Sequence, residues 1–331
     1  MSVKATPTAP RRIQDPADLQ SEIHSLKPGT KTSMELHIGS LPTGTWATMP
    51  VTVIRGIVGG PTIWLSGGIH GDEVMGVEIV RQLIGHIDPQ RLRGTIIAVP
   101  VVNIFGFTTG SRYLPDGRDL NRSFPGSARG SQAGRLAHTF YRYIVSECRF
   151  GMDFHSGSRG RSNLPQLRGN LDDPQILELA GVFGTPIAIH SGIRDGSLRG
   201  AAQRDGIGVL LYEGGEASRF DLPAVRAGYR GALRVMKALK MLKAAPPRPK
   251  REQMLSRKSS WTRAGRSGFC HLKVSLGETV ERGQSVALIS DSTSTAEMNV
   301  RARTTGVVIG ILVDAIVHRG DALVHIAEIE S

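Results

Sequence analysis

Short apolar runs, rich in β-branched residues and bounded by glycine or proline, alternate along this chain with stretches in which apolar residues recur every three or four positions. The first pattern reads as strand and the second as helix. ATMPVTVIRG and PTIWLSGG are strands on this reading, and GTIIAVPVVN is the continuous apolar run expected of a strand covered on both faces. From Glu73 to His86 the positions Val74, Val77, Ile79, Val80, Leu83 and Ile84 keep a helical spacing. GSRYLPDGRDLNRSFPG is a long loop full of turn residues. Ala133 to Cys148 reads as a helix and RFGMDFHSG as a strand running out into a loop. DPQILELAGVFG starts like a capped helix, PIAIH is a short apolar run, SLRGAAQRDG a weaker helix and IGVLLYEGG a strand. DLPAVRAGYRGALRVMKALKML is a long helix with an aspartate near its start and lysine at its end.

Strands alternating with helices predict an α/β sheet with helices on both faces, here over residues 31–245. Residues 1–30 read as a flexible polar start. The alternation stops near Ala245, where AAPPRPKREQ opens a basic linker over 246–266. Residues 267–331 are short β-type runs punctuated by glycine, and VSLGETVERGQSVALI and VDAIVHRGDALVHI repeat one phrase. A small all-β barrel or sandwich is expected there.

Composition narrows the function. No apolar run approaches the roughly 18 residues that a membrane span needs, and the N-terminus has no apolar segment of a secretory signal. Two distant cysteines, Cys148 and Cys270, fit a reducing cytoplasm better than a disulfide scaffold. The net charge of +12 raises the question of nucleic acid, but seven basic residues fall between Arg248 and Arg266, in the linker. Basic residues do not interleave with aromatics as base stacking requires, so nucleic acid is not the expected partner.

The chemistry starts at WLSGGIHGDEVMGVEIV, where His70 and Glu73 follow an apolar strand and two glycines. Ligands collect outside the carboxyl ends of strands in open α/β sheets, and a histidine nitrogen and a carboxylate oxygen both suit zinc. Alone, the pair reads as a surface histidine and a glutamate favoured by the helix dipole. His155, in MDFHSGS, also ends an apolar strand and completes the three protein ligands of a catalytic zinc site. Glu213, in VLLYEGGE, ends another strand, where a carboxylate can take a proton from water. The loop from Arg112 to Gly126 carries Arg112, Asp119, Asn121 and Arg122, and arginines there can bind a carboxylate or offset an oxyanion.

Together GGIHGDEVMG, SRYLPDGRDLNRSFPG, MDFHSG and LLYEGGE resemble, in order and over about residues 60–220, the succinylglutamate desuccinylase/aspartoacylase family of zinc carboxypeptidase-like hydrolases. The resemblance implies a mixed-sheet α/β domain and one Zn²⁺ per chain on His70, Glu73 and His155. It implies Glu213 as general base and later general acid, and Arg112 polarising the scissile carbonyl. Asn121 and Arg122 would hold a substrate carboxylate, with Arg168 a second anion contact; Asp119 would orient its neighbours. The C-terminal segment resembles a biotinyl/lipoyl-type domain, but AEMNVRA has no lysine to modify. It is expected to be structural, covering a face of the main domain or building a homo-oligomer.

The activity so implied is zinc-dependent hydrolysis of the amide of an N-acyl amino acid, acetyl or succinyl, with the longer family members resembling deacetylases of N-acetyl diamino acids. A non-catalytic binding protein of the same fold and a peptide metallocarboxypeptidase are the competing readings. His86 and His138 read as structural or exposed, His190 as core, Asp172 and Asp173 as a helix start, and His271, His318 and His325 have no assigned role.

Overall fold

The structure is a computed structural model that describes residues 9–293 and 296–330. The N-terminal part runs β1 (Arg11–Ile13), α1 (Leu19–Ser25), β2 (Thr30–Ser40), β3 (Trp46–Arg55), β4 (Val58–Gly67), α2 (Val74–His86), β5 (Arg93–Val99), α3 (Ile104–Thr109) and α4 (Gln132–Tyr143). The middle continues with β6 (Phe150–His155), β7 (Arg161–Gly169), α5 (Pro174–Phe183), β8 (Ile187–His190), α6 (Leu198–Arg204), β9 (Gly208–Glu216) and α7 (Leu222–Ala238). The C-terminal part holds β10 (Met254–Ser256), β11 (Lys258–Arg263), β12 (Gly268–Leu272), β13 (Thr279–Val280), β14 (Ser285–Ser290), β15 (Glu297–Arg301), β16 (Gly306–Leu312), β17 (Ile316–Val317) and β18 (Ala322–Glu328).

One 14-stranded mixed sheet dominates, with the path β1-β2-β3-β5-β4-β6-β9-β7-β16-β18-β11. Its middle strands β5, β4, β6 and β9 are parallel, while β3 runs antiparallel to both β2 and β5 and β7 runs antiparallel to β9. Alternate residues of a strand face opposite sides, and here both sides are buried. Ile63 and Leu65 of β4 and Ile96 and Ala98 of β5 pack under α2, α5 and α7. Trp64, Ile97 and Val99 pack on the other side with α1, α4 and α6. This is the mixed sheet with helices on both faces that the sequence implies.

Two boundaries differ from expectation. Residues 1–8 lie outside the described residues, but from Arg11 on the supposed flexible start is built into the fold. β1 pairs in parallel with β2, and Leu19, Ile23 and Leu26 are buried in the core beneath α4. Burying each such side chain is worth about 1.5–3 kcal/mol, enough to hold a seven-residue helix that has little stability alone. The basic linker also ends early. At Met254 the chain enters the sheet as β10 beside β8, and β11 then pairs with β18.

The C-terminal β region has its own core around Val280, Val286, Ile289, Val308 and Val324. Its four-stranded sheet, β15-β14-β12-β17, lies apart from the main sheet. β16 and β18, however, continue the main sheet through pairing of β16 with β7 at Arg161–Asn163. The C-terminal layer is therefore stitched to the main sheet at the strand beside β9.

Candidate metal centre

β4, β6 and β9 are parallel neighbours, so their carboxyl ends open on one edge. After β4 the chain turns at Gly68, whose φ of +60° favours glycine. The turn is tight because backbones touch: a Cβ on Gly67 would lie 2.5 Å from the Gly76 carbonyl carbon, and one on Gly71 would lie 1.9 Å from that of Gly106. The glycines of GGIHGDEVMG thus press the start of α2 against the end of β4. Glu73 occupies the N-cap position of α2 without capping it. Its carboxylate points instead at two histidines, with Oε1 2.7 Å from His70 Nδ1 and Oε2 2.7 Å from His155 Nδ1.

Each imidazole is held from behind. His155 Nε2 lies 2.7 Å from Asp153 Oδ2, and Asp153 Oδ1 accepts from the Ser66 hydroxyl at 2.7 Å. His70 Nε2 lies 3.2 Å from Asp119 Oδ1. An ionised carboxylate only accepts, so each Nε2–H points at its aspartate. Each Nδ1 lone pair then faces a Glu73 oxygen, a contact that needs a proton or a cation between. Two imidazoles and Arg112 face three carboxylates here. Burial opposes charge on both rings, but the neighbouring carboxylates outweigh it and push both toward the protonated state. A bound metal ion would supply that positive charge instead, and metal-ligating histidines commonly carry this kind of carboxylate support. The donor atoms of His70, Glu73 and His155 lie within 4.8 Å of one another and all three residues are buried. The set can hold a metal ion.

Glu213 stands directly across from His155 in the β6–β9 register. Its Oε2 accepts from Asn163 Nδ2 on β7 at 2.9 Å. Burial raises its carboxyl above the usual carboxylate range, and Glu73 adds to this, while Arg168 works against it. Arg112 donates from Nη2 to Asp119 Oδ2 at 2.8 Å and from Nη1 to Glu73 Oε1 at 3.4 Å. Asp119 thus fixes both His70 and Arg112. Asn121 Oδ1 accepts from the Leu198 N–H at 2.9 Å, which ties the loop to the start of α6. Arg122 donates to the Asn121 carbonyl.

All eight residues singled out from the sequence, His70, Glu73, Arg112, Asn121, Arg122, His155, Arg168 and Glu213, line one cavity of about 460 Å³. Sequence reasoning missed Asn163, Arg161 and Arg199, and it gave no role to Ser259, Trp261 or His325, which line the same cavity. His190 is not a core residue: it is half-buried, 3.8 Å from Asp172, which also pairs with Arg257 at 2.6 Å. Asp173 alone of that acidic pair caps α5.

A large mixed sheet with a His-Glu-His set and a carboxylate at the ends of its parallel strands defines the class. Residues 59–239 match the succinylglutamate desuccinylase/aspartoacylase catalytic domain, and the chain belongs to that family. Among individual proteins, the chain is 32% identical over 295 residues to N-alpha-acetyl-L-2,4-diaminobutyric acid deacetylase of Halomonas elongata, covering 85% of this chain and 86% of that one. It is similar to the crystal structure of a succinylglutamate desuccinylase/aspartoacylase from Rhodobacter sphaeroides, with a TM-score of 0.84, 27% identity and coverage of 93% and 98% of the two chains. It also shares its fold with the product-bound ectoine utilization protein of Ruegeria pomeroyi, with a TM-score of 0.82, 22% identity and coverage of 92% and 98%.

Proposed function

We propose that the protein is a zinc-dependent hydrolase that cleaves the amide bond of an N-acyl amino acid, acetyl or succinyl, in the cytoplasm. The family supports the amide-hydrolysing class, and the donor set supports a metal. The observation that carries the reading is the convergence of His70, Glu73 and His155 at one point, each ring backed by an aspartate, with Glu213 one strand away. Two free cysteines and the absence, among the described residues, of a helix long and apolar enough to cross a membrane agree with the proposed setting.

His70, Glu73 and His155 would hold the zinc, which when bound supplies Lewis acidity at neutral pH. Asn163 holds one oxygen of Glu213, which leaves Oε1 to take a proton from the attacking water and pass it to the leaving nitrogen. Arg112, fixed by Asp119, offsets the negative charge that develops on the scissile carbonyl oxygen. Asn121 and Arg122 hold the α-carboxylate, and Arg168 a second anionic group. The similarity to the Halomonas deacetylase supports an N-acetyl diamino acid as one candidate substrate.

The test is Glu213→Gln against a panel of N-acetyl and N-succinyl amino acids, with amine release as readout. The variant should keep its bound metal and lose hydrolysis by about 10²- to 10⁴-fold, the usual worth of a general base. Turnover at the wild-type rate would overturn the assignment.

A further inference from the structure

Among the described residues the Glu213 carboxylate accepts one hydrogen bond, from the Asn163 amide at 2.9 Å. Whatever holds that amide sets where the carboxylate points. Asn163 stands where β7 slips its register against β9. It faces Gly215, while Gln166 faces Glu213, so β7 takes up one extra residue between them. Glu213, two residues before Gly215, lies on the same face of the sheet as Asn163. On its other side Asn163 pairs with Gly310 of β16, in the C-terminal layer. The fully buried Gln166 side chain donates to the Ile309 carbonyl at 3.1 Å and locks β7 to β16 at this level.

The pairing continues across the layer. Gly310 faces His325 of β18, and His325 faces Trp261 of β11. Asn163, Gly310, His325 and Trp261 thus form one row over four strands, and its three side chains line the cavity. Trp261 stacks on His325 with ring centroids 4.5 Å apart and planes at 13°. The Arg161 guanidinium packs on that stack, 5.2 Å from the centroid of the Trp261 ring. His325 is anchored by Ser259, 3.0 Å from its Nε2. Burial, and then the fields of Arg168 and Arg161, push this histidine down to about 3, so the stacked rings are both neutral. The gap in the row is the glycine, and the space above it is taken. A Cβ on Gly310 would lie 3.0 Å from Asn163 Oδ1, 3.3 Å from His325 Cβ and 3.5 Å from Trp261 Cη2. The Asn163 amide therefore lies over Gly310, with the edge of Trp261 beside it. β16 slips its own register against β18 between Val308 and Gly310; without that extra residue Ile309 would face His325.

We propose that the C-terminal layer positions the general base, a role that rests on the hydrolase reading above. The row Trp261–His325–Gly310 seats the Asn163 amide, and that amide aims the Glu213 carboxylate. Gly310 is the positioning residue on which the arrangement turns, because a residue without a side chain leaves the amide its room. A carboxylate that nothing holds samples several rotamers, and a general base works only within hydrogen-bond reach of the proton it takes. The β layer thus acts on the chemical step through a chain of contacts and not by binding the substrate.

The experiment is a double-mutant cycle on the metal-loaded full chain, with the best substrate of the N-acyl amino acid panel. It compares wild type, Gly310→Ala, Asn163→Ala and the double variant. Asn163→Ala should lower kcat by about 10- to 100-fold, the worth of a hydrogen bond to a charged group. Gly310→Ala pushes the amide aside by a few tenths of an ångström. It should lower kcat by roughly 3- to 10-fold, less than the roughly 10²-fold of a full ångström, with KM and zinc content at wild-type values. In the Asn163→Ala background Gly310→Ala should cost nothing further, because the group it displaces is gone. A wild-type kcat in Gly310→Ala, full additivity in the cycle, or a loss in KM alone overturns the proposal. Should Gly310→Ala not fold, Trp261→Leu, which removes the edge beside the amide, takes its place with the same expectations. A readout independent of turnover is the Asn163 side-chain amide resonance in protein labelled with ¹⁵N at its five asparagines, identified by its loss in Asn163→Ala. It should move in Glu213→Gln and in Gly310→Ala, and an unmoved resonance in either rejects the chain of contacts. If wild type turns over no N-acyl amino acid, the hydrolase reading has failed, and the amide resonance alone then upholds or rejects the seating of Glu213.

Discussion

Histidines of three kinds show how little the residue type alone decides. His70 and His155 have a carboxylate at each ring nitrogen and are the proposed ligand pair. His190 sits in a surface ion-pair cluster with Asp172 and Arg257. His325 is buried in a positive field and stays neutral. Its folded value of about 3 lies below the ordinary 6.5, so between those values the unfolded chain binds a proton that the folded chain does not. Stability from this group is therefore complete above about pH 6.5 and is lost as the pH falls toward 3. Melting curves of wild type and His325→Phe between pH 7 and about pH 4 should converge or cross, with wild type losing stability faster on the acid side. Parallel curves would mean that His325 is not held neutral. In the sequence, His325 carried no signal, because its role depends on two arginines more than 150 residues away that only the fold brings near.

The elements that carry the proposed site were the legible ones. β4, β6 and β9 are apolar runs ending in Gly, His or Glu because they are buried on both faces and stop at the site. Their parallel pairing turns three distant sequence motifs into one edge. β7 was illegible: RSNLPQLRG is neither apolar nor alternating, and it contains Pro165. The fold tolerates the proline because the β7–β9 register slips between Asn163 and Gln166, at a bulge. Missing β7 hid Arg161 and Asn163. The seat of α2 is a second feature of this scale. A Cβ on Gly76 would lie 2.0 Å from the Phe154 carbonyl oxygen, at the strand that ends in His155. Gly76→Ala should therefore cost about 1–3 kcal/mol by overpacking and weaken metal binding by shifting Glu73. Chemical denaturation of the metal-free protein and chelator competition measure the two effects. Wild-type stability and affinity in this variant would contradict the close helix–strand contact.

At the scale of the whole molecule, the boundary expected between a catalytic domain and a separate β domain is the point that changes most. The repeated phrases do form matching units, β13–β14 and β17–β18, turning at Gly283 (φ +89°) and Gly320 (φ +99°). Glycine spacing and apolar alternation made that repeat readable. What they could not reveal is that β16 pairs with β7 and carries β18 and β11 to the cavity rim. Register between strands so far apart is set by packing, not by local pattern. The consequence is that the C-terminal layer lines the cavity, through Ser259, Trp261 and His325, and is not only a cover.

The central claim is that three side chains from two strand ends meet on one metal ion. Zinc content of the purified full chain, measured beside His155→Ala after equal zinc loading and desalting, tests it most directly. The account predicts one zinc per chain in wild type and none retained by the variant. Equal zinc in both proteins, or a wild type that retains none, would contradict it.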